Sequence, residues 1–266
     1  MKKLFLLAMS ALLVLGCNTK TSSSKDDENE VKELKTKVFQ YENNTSHAEA
    51  SIYCEFPVGG DEELGDSIYQ FIVETMVEQQ VYEEELDDYR NDGQAFVDLF
   101  GKKISNDLEE GWENYTQGDE TMNDVLYENI KYSIVENNDQ YATCLYEYDN
   151  YYGGDGYMNK KGCTFLKSDG SRITNEFLFE KPGSHKLLNL VVEALIQKYG
   201  SSNDGFIEDS ELENIEELPR TPFYLTADGV AFCYASYEVH WSFLEGVIPY
   251  DKVENLLTDE AQALLE

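Results

Sequence analysis

The sequence predicts an α+β protein, with mixed antiparallel sheets, packed helices and two intertwined subdomains. Two observations favour this class. From Val38 onward the composition is that of a globular protein, with no proline- or glycine-rich break and no internal repeat. Helical and strand patterns also follow one another in irregular order, whereas a parallel α/β sheet needs regular strand–helix alternation. The length allows one large domain or two small ones.

Amphipathic helices are predicted where apolar residues recur at helical spacing. The segments are residues 62–86, 93–116 and 184–200, and a last helix is expected from about Asp251. Gly200 stands where a helix commonly ends. The stripes are rich in leucine and aromatic residues, which is typical of a core rather than of a ligand site.

Strands are predicted in the apolar and aromatic segments between these helices. Residues 50–58 are expected to form an edge strand, because a proline stands near their end. Residues 128–148 are predicted to form a hairpin with its turn at Asn137–Asp139. Further strands are expected at 162–173 with a turn at Ser168–Gly170, in a hairpin at 223–238 that turns at Asp228–Gly229, and at the edge strand 246–250.

The first residues, MKKLFLLAMSALLVLGC, have the layout of an export signal. A basic start precedes a mostly apolar run from Leu4 to Leu15 and a small residue before cleavage. That run is shorter than the roughly 20 residues that cross a bilayer. The segment VLGC resembles the lipobox of bacterial lipoproteins, in which the cysteine is lipidated. We expect a signal peptide at 1–16 and a lipid such as palmitate on Cys17, with simple secretion or an uncleaved anchor as the alternatives.

A flexible tether is predicted at residues 17–37, because no apolar or aromatic residue occurs between Cys17 and Val31. Within it, KDDE at Lys25–Glu28 resembles the acidic signal that sends some Gram-negative lipoproteins to the outer face of the outer membrane. A charged, solvated linker is the alternative. We therefore expect an outer-membrane lipoprotein, either displayed at the cell surface or facing the periplasm.

The charge of the chain limits its partners. It has 53 acidic and 20 basic residues, a formal net charge of −33. Nucleic-acid binding depends on lysines and arginines that release counterions, so we expect none. The negative field favours a basic partner or bound cations, and solubility alone is the alternative explanation.

Four cysteines follow the expected lipidation site: Cys54, Cys144, Cys163 and Cys233. Their spacing matches no CxxC metal motif, and an even number in an exported protein permits disulfides. Cys144 and Cys163 are the favoured pair, because their strands are expected to lie close together. Buried free thiols are the alternative, since Cys144 and Cys233 both stand in apolar strand patterns.

Catalytic signatures are absent from the sequence. GxSxG, HExxH and GxxxxGK[ST] do not occur, and GDGYMN has Asn159 where the last glycine of GxGxxG belongs. Residues 200–211 do not fit a calcium loop, because Gly200 stands in the place of its first acidic ligand. We expect no enzymatic activity, no cofactor and no metal; a glycan hydrolase or a structural envelope protein are the alternatives.

The segment YEYDNYYGGDGY, at Tyr146–Tyr157, combines tyrosines with a glycine turn. Tyr146 and Tyr148 alternate along a strand and are predicted to pack in the core. Gly153 and Gly154 are expected to adopt backbone angles that other residues resist.

Two segments of the C-terminal half together share motifs with a known family. They are YYGGDGY with TFLKSDGSRIT, and PFYLTADGVAFCYASYEVHWSFLEGVIPY. They resemble the RsiV-like extracytoplasmic domain, which occurs in lysozyme-sensing anti-sigma factors and beside the catalytic domain of some peptidoglycan deacetylases. The matched positions are Tyr151, Gly153 and Gly154; Asp169 and Gly170; Phe223–Gly229; Tyr237 and Glu238; and Ile248–Tyr250.

The resemblance implies an RsiV-like domain at residues 141–258, followed by a helix end at 259–266. The preceding residues 38–140 are similar to the companion domain that usually comes before it, and are expected to form an N-terminal α+β subdomain. The chain departs from the family at Asp155 and Gly156, which replace Ala-His, and at His240–Ser242, which replace Ala-Pro-Tyr.

A binding site is expected where these motifs meet. The predicted ligand of this site is a basic protein such as lysozyme, or a peptidoglycan fragment. The protein is expected to contact the membrane through its lipid anchor. The predicted site residues are Tyr151, Tyr152, Gly153, Gly154, Asp155, Tyr157, Tyr237, Glu238, His240 and Trp241.

Overall fold

A five-stranded sheet forms the centre of the fold. Its strands lie in chain order, and only β2 and β3 run parallel to each other, so the sheet is mixed. The crossover between these two parallel strands contains the two longest helices. The strands are β1 (Lys35–Asn44), β2 (Ala48–Gly59), β3 (Leu126–Asn137), β4 (Tyr141–Tyr151) and β5 (Tyr157–Leu166).

The computed structural model describes residues 33–77, 89–116, 124–154, 156–201 and 207–265. All of them fall in one compact unit. The expected signal peptide, Cys17 and most of the expected tether lie outside the described residues, as do Asp155 and the last part of the first predicted helix. Within the described part of the chain, no helix combines the length and the apolar character that a membrane span requires.

Helices α1 (Glu62–Val77) and α2 (Gly93–Thr116) pack on one face of this sheet. Alternate residues of β3, such as Ile130 and Tyr132, are buried beneath them, as the period of two in a strand requires. The predicted span of α2 is confirmed at both ends. Two glycines of α2 allow this close approach, because a side chain at Gly93 or Gly101 would overlap the ring of Phe39 or Tyr41 on β1.

A three-stranded antiparallel sheet lies against the opposite face of the larger sheet. It consists of β6 (Tyr224–Thr226), β7 (Gly229–Tyr234) and β8 (Leu244–Ile248), with β7 in the middle. The two sheets meet where Tyr224 and Cys233 pack against Leu145. Gly162 on β5 makes the approach possible, because a Cβ there would overlap the Tyr224 ring.

Shorter helices cover the outer side of the smaller sheet and form a second core with it. The longest is α4, which begins after its N-cap Ser184 and ends at Gly200, as predicted. Gly200 is in an extended conformation rather than a left-handed one. These helices are α3 (Asn175–Leu178), α4 (His185–Tyr199), α5 (Asp209–Glu213), α6 (Tyr250–Val253) and α7 (Asp259–Leu265).

The α+β class is confirmed by this mixture of two sheets and packed helices. The turns expected at residues 137–139 and 228–229 join the strands predicted for them, and β8 is an edge strand. The turn expected at 168–170 follows β5, but it leads only to an isolated bridge between Phe165 and Arg172. The boundary expected at residues 140 and 141 falls in the turn between β3 and β4, inside one sheet. Residues 35–37, which the sequence placed in the tether, belong to β1.

The prediction of an edge strand at residues 50–58 is wrong, because β1 lies outside β2. The pairing of β2 with β3 ends at Cys54 and Tyr132, so Pro57 has a strand neighbour on one side only. A missing N–H group is tolerated there. The last helix expected from about Asp251 does begin there, as α6, but it is not continuous. Leu257 is extended, and the Thr258 hydroxyl accepts a hydrogen bond from the Ala261 amide to start α7.

All four described cysteines are free thiols. Cys144 and Cys163 do stand opposite each other on β4 and β5, so their expected proximity is confirmed, but the disulfide that it suggested is not present. Burial raises the pKa of the Cys163 thiol to about 12 and that of Cys144 well above its usual value. Buried thiols, the alternative interpretation, describe these positions.

Candidate functional site

The tyrosine turn joins β4 to β5, and its residues point to both faces of the sheet. Tyr146 and Tyr148 are buried in the core beneath the helices, which confirms their predicted packing role. Tyr157 lies beside Tyr148 with their ring centroids 6.0 Å apart. Tyr151 stacks instead on Tyr127, at 6.1 Å.

Tyr152 is anchored by a buried carboxyl group. Its hydroxyl donates a short hydrogen bond to Glu128 on β3, whose residue is only 4% exposed. Burial raises the pKa of Glu128, although the hydrogen bond from Tyr152 acts in the opposite direction. Glu128 was not among the predicted site residues, because a lone acid in a strand carries no signal that would distinguish it.

The two glycines of the turn behave differently. Gly153 has φ of 82°, and a Cβ there would lie 2.6 Å from the ring of Tyr115 on α2. Gly154 has no positive φ, and a Cβ there would meet no atom within 4 Å. The expected conformational requirement is therefore confirmed for Gly153 and wrong for Gly154. The first half of the turn packs toward α2 and not toward the second predicted segment.

The loop between β7 and β8, residues 235–242, contains the second group of predicted site residues. Tyr237 has φ of 67°, a left-handed conformation that non-glycine residues seldom adopt. The Tyr237 amide donates to the His240 carbonyl at 2.7 Å. The carboxylate of Glu238 accepts hydrogen bonds from the backbone amides of Arg220, at 2.8 Å, and Ala235, at 3.0 Å. Glu238 thus holds the loop in shape.

His240 completes the internal bonding of this loop. Its Nδ1 accepts a hydrogen bond from the Ser242 amide at 3.1 Å and lies 2.7 Å from the Ser242 hydroxyl. The other ring nitrogen lies 3.9 Å from the Glu211 carboxylate. Because Nδ1 is an acceptor, the proton of the neutral ring is on Nε2, which faces Glu211.

Ser236 connects this loop to the tyrosine turn. Its amide donates to the Met158 carbonyl and its hydroxyl accepts from the Met158 amide, both at 3.1 Å. The structure therefore brings the start of β5 together with the 235–242 loop. Between them lies a cavity of about 470 Å³, which we call the loop pocket. Predicted site residues in its lining are Tyr157, Tyr237 and Trp241.

A second cavity, of about 610 Å³, lies where the uncovered part of the larger sheet meets α4 and β8. We call it the interlayer groove. Charged side chains cross it in a continuous series of ion pairs. Lys131 pairs with Glu147 at 2.7 Å, Lys160 lies 3.6 Å from Glu147 and 3.4 Å from Glu245, and Lys198 pairs with Glu245 at 3.1 Å.

Glu245 has the most protected carboxylate of this series. Its own burial would raise its pKa, but the hydroxyl of Tyr224, 2.6 Å away, and the two lysines lower it overall. None of the residues in this ion-pair series was predicted from the sequence to belong to a site. Alternating polar positions on β3, β4 and β5 could have indicated the sheet side of the groove, whereas Lys198 and Glu245 come from distant segments with no shared signal.

Metal ligands do not cluster in the described ranges, where no group of three or more His, Cys, Asp and Glu side chains is placed to hold an ion. Residues 202–206, in the middle of the segment tested as a calcium loop, lie outside the described residues. The loop pocket offers aromatic rings, hydroxyls and the carboxylate of Asp149, and the interlayer groove also has the ammonium groups of three lysines.

Comparison with known proteins identifies a shared fold. No protein-family model matches the chain, and no curated protein matches it. Among solved structures, a DUF3298 family member from Bacteroides fragilis is similar, with a TM-score of 0.60 and 18% identity over 86% of this chain and 96% of that chain. A DUF3298 family protein from Pseudomonas aeruginosa has a TM-score of 0.49 and 10% identity over the same shares. The chain has the fold of the Bacteroides protein.

Proposed function

We propose that this protein is a non-enzymatic cell-envelope lipoprotein whose folded part binds a basic protein through the loop between β7 and β8. One observation carries the proposal: three large apolar side chains of this one loop are exposed. Tyr237 is 53% exposed, Val239 43% and Trp241 65%. We call these three residues the 237–241 patch.

The patch has the composition of an interface anchor. Tryptophan and tyrosine dominate the binding energy of protein interfaces, because they bury much area with few rotatable bonds. An exposed apolar group of this kind lowers solubility unless a partner covers it. The adjoining loop pocket supplies a concave surface next to the protruding rings.

The backbone beneath the patch is pre-organised. A left-handed tyrosine costs about 1–3 kcal/mol, and such strain persists only where the surroundings enforce it. Here the enforcing contacts are the backbone bond from Tyr237 to His240 and the two bonds accepted by Glu238. A loop held in this way loses little conformational entropy when a partner binds.

The charge of the chain selects the class of partner. With a net charge of −33, the protein attracts basic proteins and repels acidic ones. Opposite charge raises the association rate at low salt, while the rings of the patch determine the dissociation rate. Lysozyme is the probe that the RsiV-like motifs suggest.

The binding test compares lysozyme with an acidic protein of similar size, at low and high salt. We expect saturable binding of lysozyme alone, weakened by salt. Trp241→Ala should weaken it about thirtyfold, the effect of losing a hot-spot residue of about 2 kcal/mol. Val58→Ala, at a valine 51% exposed elsewhere on the surface, is the matched control and should change nothing. Equal effects of the two substitutions, or no binding at low salt, would contradict the proposal.

The anchoring part of the proposal places the lipid on Cys17, on the strength of the VLGC segment. The outer membrane is the proposed location, facing outward or toward the periplasm. Labelling with palmitate should mark the wild-type chain and leave Cys17→Ala unmarked. Protease treatment of intact cells then distinguishes the two orientations, because only an outward-facing protein is digested.

A further inference from the structure

The interlayer groove differs from the rest of the surface in its charge. Three lysines and three acidic residues line it, namely Lys131, Lys160, Lys198, Glu147, Asp149 and Glu245. The whole chain has 20 basic and 53 acidic residues. The groove is thus locally neutral within a strongly negative protein, and it favours neither an anionic nor a cationic ligand.

The interlayer groove presents both hydrogen-bond donors and hydrogen-bond acceptors. An ammonium group has three donors and a carboxylate has about four acceptor positions, so Lys131 and Glu147 have bonding capacity beyond their ion pair. Glu245, in contrast, already accepts from Tyr224 and both lysines. Because Glu147 lies between Lys131 and Lys160, and Glu245 between Lys160 and Lys198, donors and acceptors alternate along the groove. Hydroxyl groups, which both donate and accept, match such an alternating series.

Aromatic rings complete the lining. Tyr53 comes from the sheet, Tyr199 from the end of α4 and Phe243 from the residue before β8. Aromatic walls with a few polar groups are typical of small-molecule sites, and the volume of about 610 Å³ is within their usual range. Flat rings beside interleaved donors and acceptors suit a ligand with flat C–H faces and many hydroxyls.

The shape of the groove favours an extended ligand. It shares Asp149, Met158 and Phe243 with the loop pocket, so the two cavities are neighbours on the surface. Its floor is the part of β2, β3 and β4 that the smaller sheet leaves uncovered. A chain of several linked units can lie along it.

From these features we infer that the interlayer groove binds a neutral saccharide chain, with sugar rings against the aromatic residues and hydroxyls on the lysine–glutamate series. The site is separate from the 237–241 patch that docks the basic protein. Lys131 and Phe243 are the residues whose loss should weaken saccharide binding most directly.

The test titrates the full-length protein with chitotetraose, a neutral chain of N-acetylglucosamine, by calorimetry. We expect saturable binding that changes little with salt, because the ligand has no charge. Lys131→Ala and Phe243→Ala should each weaken binding by about tenfold at most, the effect of one hydrogen bond or one ring contact. The fully de-N-acetylated tetramer, which is cationic, is the second ligand.

Lys103→Ala provides the matched control. Lys103 forms a 2.7 Å ion pair with Asp107 on α2, as Lys131 does with Glu147, but it lies outside the groove. Unchanged affinity in this variant supports the inference. The inference is overturned if millimolar chitotetraose gives no saturable signal, if Lys103→Ala and Lys131→Ala weaken binding equally, or if only the cationic tetramer binds.

Discussion

Gly162 controls the contact between the two sheets, and replacing it should destabilise the protein. In Gly162→Ala the new Cβ would lie 2.2 Å from Cγ of Tyr224. Carbon atoms in contact are normally about 3.5 Å apart, so one side must move by roughly 1.3 Å. Tyr224 is 3% exposed and its hydroxyl is held by Glu245 at 2.6 Å, so the ring has little room to move.

We expect the free energy of unfolding to fall by about 1–3 kcal/mol, the usual range for overpacking a core. For a domain of this size, each 1 kcal/mol lowers the melting temperature by about 2–4 °C. Urea titration and calorimetry would measure both quantities. The same substitution should disturb the interlayer groove, because Tyr224 positions Glu245. Chitotetraose binding should therefore also weaken in Gly162→Ala.

The control substitution is Gly111→Ala in α2. A Cβ at Gly111 meets its nearest atoms, in Leu126 and Tyr152, at 3.6 and 3.7 Å, which are ordinary contacts. Alanine is favoured over glycine inside a helix by about 1 kcal/mol, so this variant should be as stable as the wild type or more so. The reasoning is refuted if Gly162→Ala unfolds within about 0.5 kcal/mol of the wild type, the range of neutral surface substitutions.

Three further predictions concern protonation, thiol reactivity and backbone strain. Because burial raises the pKa of Glu128 above its ordinary 4.5, its stabilising contribution is full below that value and declines as the pH rises through the folded-state pKa. Glu128→Gln should therefore lose less stability than the wild type between acidic and neutral pH. Identical pH profiles of the two proteins in urea titrations would contradict this. Burial raises the pKa of the thiols of Cys54, Cys144, Cys163 and Cys233. They should therefore resist iodoacetamide in the folded protein and react after denaturation, as followed by mass spectrometry. Rapid labelling of the folded protein would show that they are accessible. Tyr237→Gly should be more stable than Tyr237→Val by about 1–3 kcal/mol, because glycine adopts the left-handed conformation without the strain of a branched side chain. Equal melting temperatures of the two variants would show that the loop is not strained.

Local patterns were sufficient for most of the individual elements. The apolar residues at helical spacing predicted both ends of α2, and the glycine and asparagine turns predicted the hairpins. Helical spacing and turn chemistry are properties of neighbouring residues, so they can be recognised in the sequence. The position of β2 in the sheet was not predictable in this way. Its outer neighbour β1, KTKVFQYENN, is largely polar and gave no clear strand signal, so β2 appeared to be an edge.

The candidate site was likewise predictable from the sequence only in part. Motif order singled out the tyrosine turn and the 235–242 loop, and hydrogen bonds between Ser236 and Met158 do bring the two segments together. The expectation of a single cluster was only partly met. Tyr151 and Tyr152 are consecutive, and Tyr152 turns toward Glu128 while Tyr151 stacks on Tyr127. Asp155 lies outside the described residues and stays a prediction.

The sequence by itself determined the α+β class, the strong negative charge, the spans of α2 and α4 and the residues that form the hairpin turns. Only the tertiary structure decided that a three-stranded sheet packs over Gly162, and that Lys131, Lys160, Lys198 and Glu245 meet in one groove. The physical reason is the range of the interactions. Periodicity and turn chemistry act over a few residues, whereas the groove results from packing between segments more than a hundred residues apart in the chain.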